Sequence, residues 1–262
     1  MSIVEQVRSF HRRRLQIPVE RDAIVLDVGS GDKPHWRADV LLERYIDSSH
    51  GGQRSGGASA RVDRPTFEAD AAAMPFADKV FDYVICSHVL EHVERPDLVV
   101  AELVRVAKAG YIEVPEAASA KIVDFPSHLW WVTREGDTLV FTAKSTPYFD
   151  ADIDRYLDAS GMRQAVADLL DQHLDHRVIE MRWQDSVATR VVGRPSAELI
   201  AAAHDSDVQH RSGQAVVARL LTAILTLGRG RHRGKIPVDS LLKSDLRIGR
   251  NEFLEGKTYQ FN

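Results

Sequence analysis

Residues 23–31 read Ala-Ile-Val-Leu-Asp-Val-Gly-Ser-Gly, and this stretch decides the fold class. Its first six residues are almost all apolar, which is typical of a strand buried on both faces of a parallel sheet. Gly29 and Gly31 follow at once, and glycines permit a tight turn and the close approach of a ligand. In a doubly wound sheet such a turn lies at the switch point where cofactors bind. The stretch therefore predicts a first strand followed by a ligand-binding turn.

Strand and helix patterns alternate over the first 115 residues. Apolar runs at 38–42, 66–70, 81–86 and 111–115 predict four further strands. Residues 96–108 predict an amphipathic helix that begins with a proline and is closed by Gly110. This alternation is typical of an α/β fold with a parallel, doubly wound sheet.

The second half of the chain is less regular. We expect a strand at 138–143, a helix at 153–173 and an antiparallel hairpin made of 177–183 and 187–192. Residues 196–227 are expected to be mostly helical, with a short hairpin in the tail that ends at Asn262. The Gly- and Ser-rich segment 47–65 predicts a mobile loop, and one hypothesis is that it closes over a cofactor as a lid. The chain then divides into a domain at 1–195, with an insertion at 116–145, and a C-terminal helical extension or cap at 196–262.

Composition excludes several classes of protein. The 262 residues carry a formal net charge of -4, which gives no sign of a surface that attracts nucleic acid as a whole. The single cysteine, Cys86, leaves no intrachain disulfide. No apolar stretch has the length of a signal peptide or of the roughly 20 residues of a membrane span. We therefore expect a cytoplasmic protein.

Acidic residues end three successive strands and surround the glycine turn. Asp27 precedes the glycines, Glu43 ends the second strand and Asp70 ends the third. Carboxylates can accept hydrogen bonds from an ammonium group, ribose hydroxyls and an adenine amine, but they repel phosphate. The third glycine of a dinucleotide-binding turn is missing, which disfavours a nicotinamide oxidoreductase. The pattern indicates a cationic nucleoside as the ligand.

Four segments in order resemble class I S-adenosylmethionine-dependent methyltransferases, most closely the small-molecule group called type 11. They are 26–31 (Leu-Asp-Val-Gly-Ser-Gly), 68–76, 81–84 and 87–93, and the resemblance covers about residues 20–118. It implies a Rossmann-like, mostly parallel seven-stranded sheet with an antiparallel last strand, the 177–192 hairpin supplying the last two strands. It also implies S-adenosylmethionine as the cofactor.

The resemblance assigns roles to residues at the strand ends. Gly29 and Gly31 would pack against the cofactor, with Asp27 near its methionine amine. Glu43, with Asp47 as the second choice, would hold the ribose hydroxyls. Asp70 and Ala71 would face the adenine. Ser87 and His88 would line the methyl end.

The expected methyl acceptor is a hydroxyl group of a small molecule. The Asn/Asp-Pro-Pro-aromatic turn of many enzymes that methylate planar nitrogens is replaced by Cys86-Ser87-His88-Val89, so oxygen is favoured. A sugar, glycolipid or secondary metabolite is the preferred class, because Trp130 and Trp131 could stack on a sugar face. Transfer to oxygen needs a base or a metal ion.

Three histidines are candidate catalytic bases, since the imidazole pKa lies near working pH. They are His88, His92 and His128. His92 belongs to a Glu-His-Val segment that is often structural in the family, and His128 lies beside two tryptophans in either a substrate pocket or an apolar corner. The spacing of His88, Glu91 and His92 also places them on one face of a helix, where they could hold a divalent cation such as magnesium.

Alternatives remain open for function and partners. An RNA 2′-O-methyltransferase would share the fold but would need a continuous basic surface, and a non-catalytic module would bind the cofactor without turnover. The apolar segment 215–227, followed by a basic stretch at 229–235, is interpreted as a buried or homodimer-forming helix; peripheral docking on an anionic membrane is the other interpretation.

Overall fold

The computed structural model describes residues 8–47, 59–205, 222–226, 234–247, 249 and 252–261. Ten strands lie in chain order at Val25–Val28 (β1), Val40–Glu43 (β2), Thr66–Glu68 (β3), Phe81–Ser87 (β4), Ala107–Pro115 (β5), Trp130–Glu135 (β6), Thr138–Ala143 (β7), Val178–Gln184 (β8), Ala188–Val192 (β9) and Thr258–Gln260 (β10). The described helices include Pro96–Val106 (α1), Ala117–Ile122 (α2), Ala151–Ala159 (α3), Arg163–Asp171 (α4), Leu174–Arg177 (α5), Ala197–His204 (α6) and Val238–Leu241 (α7). A π-helical turn covers His11–Leu15, and a 3-10 turn covers Ser244–Leu246.

Seven strands form one sheet in the order β10-β3-β2-β1-β4-β5-β8. All neighbouring pairs are parallel except β5 and β8, which are antiparallel. Strands β1 and β2 are buried at every position because both faces of the sheet are covered, which explains their continuous apolar sequence. The predicted Rossmann-like, mostly parallel seven-stranded sheet is confirmed.

The predicted 177–192 hairpin is wrong, although both of its strands exist. β8 pairs with β5, while β9 pairs in parallel with β7 and completes a second sheet in the order β6-β7-β9. The apolar side chains of β8, including Met181 and Trp183, are buried in the main core, whereas β9 is half-exposed. The burial of β8 therefore commits it to β5, and the antiparallel strand of the main sheet is β8 and not the last strand in the chain.

Gly110 does not close a helix as predicted. α1 ends at Val106 and β5 begins at the next residue, so Gly110 lies inside a strand. A Cβ atom on Gly110 would lie 2.6 Å from the ring of Trp183 and 2.7 Å from the backbone oxygen of Val84. Close packing of β5 against the Trp183 ring therefore requires a glycine at this position.

The helix predicted at 153–173 is divided. α3 ends at Ala159 and α4 begins at Arg163. Between them Gly161 has a φ of +68°, which belongs to the left-handed region and interrupts a right-handed helix.

The described parts of 196–262 share the main core. Leu199, Val238 and Tyr259 belong to the same hydrophobic cluster as β1 and β4. β10 extends the main sheet in parallel beside β3. The described tail also has two isolated antiparallel bridges, Pro237 with Phe253 and Leu242 with Phe76, and the tail hairpin stays a prediction. The division at residue 195 stays a prediction. Loop residues 48–58, and all of segment 215–227 except 222–226, lie outside the described residues.

No helix within the described ranges is long and apolar enough to cross a membrane.

Candidate functional site

The predicted cofactor residues meet at the carboxyl ends of the parallel strands. The register pairs Val28 with Leu42 across β1 and β2, and Glu43 with Glu68 across β2 and β3. On the other side of β1, Ser87 at the end of β4 lies opposite Glu113 of β5. Ligands bind at this edge in doubly wound sheets, so the sheet itself assembles the candidate site.

Both glycines of the predicted turn after β1 have a left-handed conformation. The φ angles are +66° at Gly29 and +54° at Gly31, a region that side chains other than glycine rarely adopt. The backbone N–H of Gly29 donates to the oxygen of Leu42 at 2.8 Å. A Cβ atom on Gly29 would lie 2.4 Å from Cγ2 of Val89, so the turn is pressed against the loop after β4.

Glu43 braces the glycine turn. Its Oε1 accepts hydrogen bonds from the Ser30 hydroxyl at 2.8 Å and from the Gly31 N–H at 2.5 Å. The side chain is buried, whereas the second choice for the ribose contact, Asp47, is exposed four residues beyond β2. The structure therefore places Glu43, and not Asp47, directly at the turn.

Asp27 is a buried carboxyl group beneath the turn. Its Oδ2 accepts a hydrogen bond from the backbone N–H of His35 at 2.7 Å. Burial raises the pKa of Asp27 to about 7, and the negative charge of Glu43 adds to this effect, although the His35 hydrogen bond opposes it. The approach of a ligand ammonium group would favour the charged form of this carboxyl.

The connection between β1 and β2 contains no helix over residues 29–39. Two buried arginines support it instead. Arg64 donates to the backbone oxygens of His35 at 2.8 Å and Ala38 at 2.9 Å, and Arg37 donates to Asp39 at 2.7 Å and to the oxygen of Ala23 at 2.7 Å. The 29–39 connection therefore offers no helix N-terminus to the glycine turn, which is the usual phosphate-binding feature of a dinucleotide site.

Asp70 and Ala71 form the turn after β3. Oδ1 of Asp70 accepts a hydrogen bond from the N–H of Ala72 at 2.8 Å, and Oδ2 pairs with Arg44 at 3.2 Å. The Asp70 side chain is 43% exposed, while Ala71 is buried. The carboxyl and the small buried residue thus stand at the third strand end, where the adenine contact is predicted.

His88 lies between two carboxylates. Its Nδ1 is 3.2 Å from Oε1 of Glu91, and its Nε2 is 3.1 Å from Oε1 of Glu113. Burial alone would lower the pKa of His88, but the hydrogen bonds to Glu113 and Glu91 outweigh it and raise the pKa to about 9. His88 is therefore an imidazolium at neutral pH, and in this state it cannot serve as the predicted base.

Glu113 is a site residue that the sequence analysis missed. It is buried at the end region of β5, and it accepts hydrogen bonds from Arg13 at 2.6 and 2.5 Å, from the Tyr111 hydroxyl at 2.5 Å and from the Ser87 hydroxyl at 3.2 Å. Burial would raise its pKa, but His88 and Arg13 hold the pKa well below its usual range. The rule that selected Glu43 and Asp70, an acid near a strand end, would have found it.

The metal-ligand group that the fold brings together differs in one residue from the predicted set His88, Glu91 and His92. Residues 88–95 form turns, with a φ of +57° at His88, so these residues do not share a helical face. Ligand atoms of Glu91, His92 and His128 instead lie within 4.8 Å of one another. The rings of His92 and His128 pack edge-on with centroids 4.8 Å apart. His128 thus lies beside His92, although the two residues are 36 positions apart in the chain.

Burial lowers the pKa of both histidines in this group. For His92 the charge of Glu91 opposes the effect, whereas for His128 the neighbouring His92 reinforces it and the pKa falls well below its usual value. Both rings are neutral at pH 7 and can accept a proton or bind a cation.

The two tryptophans have different environments. Trp130 is buried, and its indole N–H donates to the backbone oxygen of Val93 at 2.8 Å, so it cannot stack on a sugar as predicted. Trp131 is partly exposed and packs edge-on against Phe149. Beside them lies an open groove of about 480 Å³ lined by Glu116, Ala117, Ala118, Lys121, Ile122, Thr133, Phe149 and Ile153.

Comparisons with known proteins agree with the resemblance of the first half. Residues 26–112 match the family model described as a methyltransferase domain. A 96-residue stretch is 35% identical to an uncharacterized methyltransferase of Mycobacterium avium, and 88 residues are 38% identical to demethylmenaquinone methyltransferase of Renibacterium salmoninarum. These matches cover 34% and 33% of the chain, and the chain spans 37% of the length of each relative.

Solved structures show weaker likeness. The [4+2]-cyclase SpnF is 15% identical, over 70% of this chain and 82% of its own, with a TM-score of 0.39. The PH0226 protein of Pyrococcus horikoshii is 17% identical, over 60% of this chain and 81% of its own, with a TM-score of 0.35. Both scores are below 0.5, so neither likeness bears on function.

Proposed function

We propose that this chain, whose residues 26–112 match a methyltransferase domain, transfers a methyl group from S-adenosylmethionine to a hydroxyl of a small molecule with an apolar part. A glycolipid or an apolar secondary metabolite fits better than a free sugar. The observation that carries the proposal is the left-handed turn at Gly29 and Gly31, surrounded by the carboxyl groups of Asp27, Glu43 and Asp70.

The residues around the turn fit the cofactor. The glycine turn leaves room that side chains would fill, and Asp27 is a buried carboxyl group that a ligand ammonium would stabilise in its charged form. In this proposal Asp27 faces the methionine amine, Glu43 the ribose hydroxyls, and Asp70 with Ala71 the adenine. When bound, S-adenosylmethionine supplies a methyl group on a positively charged sulfur.

Activation of the acceptor hydroxyl is assigned to the group formed by Glu91, His92 and His128. His88 is protonated at neutral pH and holds its two protons toward Glu91 and Glu113. Burial lowers the pKa of both His92 and His128 and keeps both rings neutral, and in this proposal His92, whose pKa is lowered less, accepts the proton that the hydroxyl loses. In this proposal His88 lies at the methyl end of the site as a positively charged, orienting residue.

The groove beside Trp131 supports an acceptor with an apolar part. It begins at α2, which follows directly from the β5 strand that carries Glu113. Ile122, Phe149 and Ile153 line it and are about half-exposed, which leaves apolar surface for a ligand chain. Lys121 lies over the rings of Trp131 and Phe149 and adds a positive charge at the groove wall.

An RNA acceptor is less favoured. Arginines near the site are engaged with acids, as Arg12 is with Glu180, Arg13 with Glu113 and Arg44 with Asp70. Binding of an RNA backbone needs basic side chains that can reach phosphates. We therefore retain a small-molecule acceptor, a cytoplasmic location and no nucleic-acid partner as the proposal.

The test has two stages. Calorimetric titration with S-adenosylhomocysteine is expected to give micromolar binding that Asp27→Ala weakens at least tenfold, while the control Asp22→Ala, an exposed acid before β1, leaves it unchanged. Methyl transfer from labelled S-adenosylmethionine is then measured on glycolipid and apolar hydroxyl acceptors, with free sugars and RNA for comparison. No binding by the folded protein would overturn the proposal. Binding without transfer to any acceptor would favour the non-catalytic module.

A further inference from the structure

Three contacts join the turn that carries Glu91 and His92 to the segment that carries His128. The backbone N–H of Leu129 donates to the oxygen of Glu91 at 2.7 Å, and the indole of Trp130 donates to the oxygen of Val93 at 2.8 Å. Nδ1 of His92 lies 3.0 Å from the backbone oxygen of Ser127. The turn after β4 is thereby tied to the segment before β6, and the three side chains converge from both.

The contact with Ser127 decides which nitrogen of His92 is available. A carbonyl oxygen can only accept a hydrogen bond, so Nδ1 of His92 carries the proton and Nε2 presents a lone pair. That Nε2 lies 3.9 Å from Oε1 of Glu91, beyond hydrogen-bond distance. Nε2 of His92 and Oε1 of Glu91 therefore face one another, each with an electron pair and with no proton between them.

The carboxylate of Glu91 provides independent evidence for a positively charged ligand. Its side chain is 1% exposed, and its Oε1 is already bonded to His88. Oε2 of Glu91 is buried and has no hydrogen-bond partner among the residues that the structure describes. A buried carboxylate oxygen without a partner is costly and rare, which indicates that a ligand of the opposite charge belongs beside it.

We infer that Glu91, His92 and His128 form a binding site for one divalent transition-metal ion. Two imidazole nitrogens and one carboxylate oxygen are a donor set suited to zinc, manganese, iron or cobalt, and less to the magnesium that the sequence suggested. Three protein ligands leave a coordination position for another group. His88 is not a ligand; it donates to Glu91 and orients it, as supporting residues of metal sites do.

The charges around the group are compatible with a cation. Two positive side chains lie nearby: the His88 imidazolium, whose charge is shared between Glu91 and the carboxylate of Glu113, and Lys144, whose ammonium is paired with both carboxylate oxygens of Asp124 at 2.7 and 2.9 Å. Lys144 also donates to the backbone oxygens of Phe125 and Pro147. The charge of Lys144 is therefore largely neutralised away from Glu91.

Any role of the ion in the reaction rests on the proposed function, whereas binding of the ion does not. In the proposed transfer to oxygen, an ion at this place would bind the acceptor hydroxyl and lower its pKa, so that the hydroxyl proton would pass to water, and His92 and His128 would act as ligands and not as bases. Ion binding can be measured without any acceptor or turnover.

The experiment titrates the metal-free full chain with cobalt(II) chloride and follows the visible absorption of the bound ion. We expect one ion per chain. His128→Asn and Glu91→Gln are expected to weaken binding more than about 100-fold, beyond the usual effect of losing a supporting residue. His88→Asn should weaken binding about 10- to 100-fold and keep the one-to-one stoichiometry. The exposed His176 provides a matched control, and His176→Asn should bind as the wild type does.

Melting curves of each variant without metal show whether the variant is folded. Absence of cobalt binding by the wild type would overturn the inference, as would equal binding by the wild type, His128→Asn and Glu91→Gln. Titration of the metal-free protein with S-adenosylhomocysteine separates the two proposals. If the nucleoside binds and cobalt does not, the ion site is wrong and the proposed function stands; the reverse result rejects the proposed function alone.

Discussion

Arg13 and Glu113 form a two-pronged ion pair, in which Nε and one terminal nitrogen of Arg13 donate to the two oxygens of Glu113 at 2.6 and 2.5 Å. The two residues are 100 positions apart in the chain, and their side chains are 8% and 3% exposed. The pair joins the N-terminal π-helical turn to β5. Because Glu113 also holds His88, the N-terminal segment helps to position the methyl end of the candidate site.

Arg13→Met should destabilise the protein by about 3–5 kcal/mol, since it leaves a buried carboxylate without its main partner. Urea unfolding measures this free energy. Arg155 is a matched control, because its pair with Asp152 is 75% and 89% exposed, and surface pairs of this kind contribute about 0–1 kcal/mol. Equal losses for Arg13→Met and Arg155→Met would contradict the special role of the buried pair.

Gly29→Ala should weaken binding of S-adenosylhomocysteine more than tenfold and lower the melting temperature. The new Cβ atom meets Cγ2 of Val89 at 2.4 Å, and a φ of +66° costs alanine about 1–2 kcal/mol. Calorimetry and thermal unfolding check both effects.

The double variant Gly29→Ala/Val89→Ala should recover part of the lost stability, because the clash disappears and only the backbone strain remains. A double variant no more stable than Gly29→Ala alone would mean that Val89 is not what limits this turn.

Binding of S-adenosylhomocysteine should strengthen as the pH rises from 6 to 8. The pKa of Asp27 is raised to about 7 by burial, and only its charged form attracts the ligand ammonium. Affinity should therefore fall by about tenfold per pH unit below 7 and level off above it. Calorimetry across this range tests the dependence, and Asp27→Asn should remove it. A flat profile for the wild type would contradict the assignment of Asp27.

The carboxyl group of Asp27 should also make the stability of the protein depend on pH. The folded pKa of Asp27 lies above its ordinary value of 3.8, so the folded state binds the proton more tightly than the unfolded state does. The stabilisation of the folded state by this proton is complete below pH 3.8 and is lost as the pH rises through 7. The free energy of unfolding of the wild type, measured relative to Asp27→Asn, should fall over that interval, and urea unfolding at several pH values will show whether it does.

Arg37→Met should destabilise the protein by about 3–5 kcal/mol. Its pair with Asp39 is buried, with side chains 4% and 5% exposed, and the Arg37 side chain also replaces the missing helix as the support of the 29–39 connection. Arg61, 46% exposed in its pair with Asp63, supplies the control, and Arg61→Met should cost less than about 1 kcal/mol. A loss for Arg37→Met no larger than that of the control would show that the buried pair does not hold the connection.

Local sequence patterns were sufficient for the first half of the fold. The strands at 25–28 and 40–43 are buried on both faces, so the apolar runs could be interpreted without knowing their neighbours. The turn at Gly29 needs a left-handed backbone, which glycine indicates directly. The same logic failed at Gly110, where the reason for glycine is the ring of Trp183, a contact between residues 73 positions apart in the sequence.

The parallel core, the glycine turn and the acids at Asp27, Glu43 and Asp70 could be predicted from the sequence, because strand burial and turn geometry are local properties. Tertiary structure alone decided the pairing of β8 with β5, the protonated state of His88 between Glu91 and Glu113, and the approach of His128 to His92. Strand partners and side-chain charge states depend on groups that are distant along the chain and close in space. A pattern within one segment contains no information about those distances.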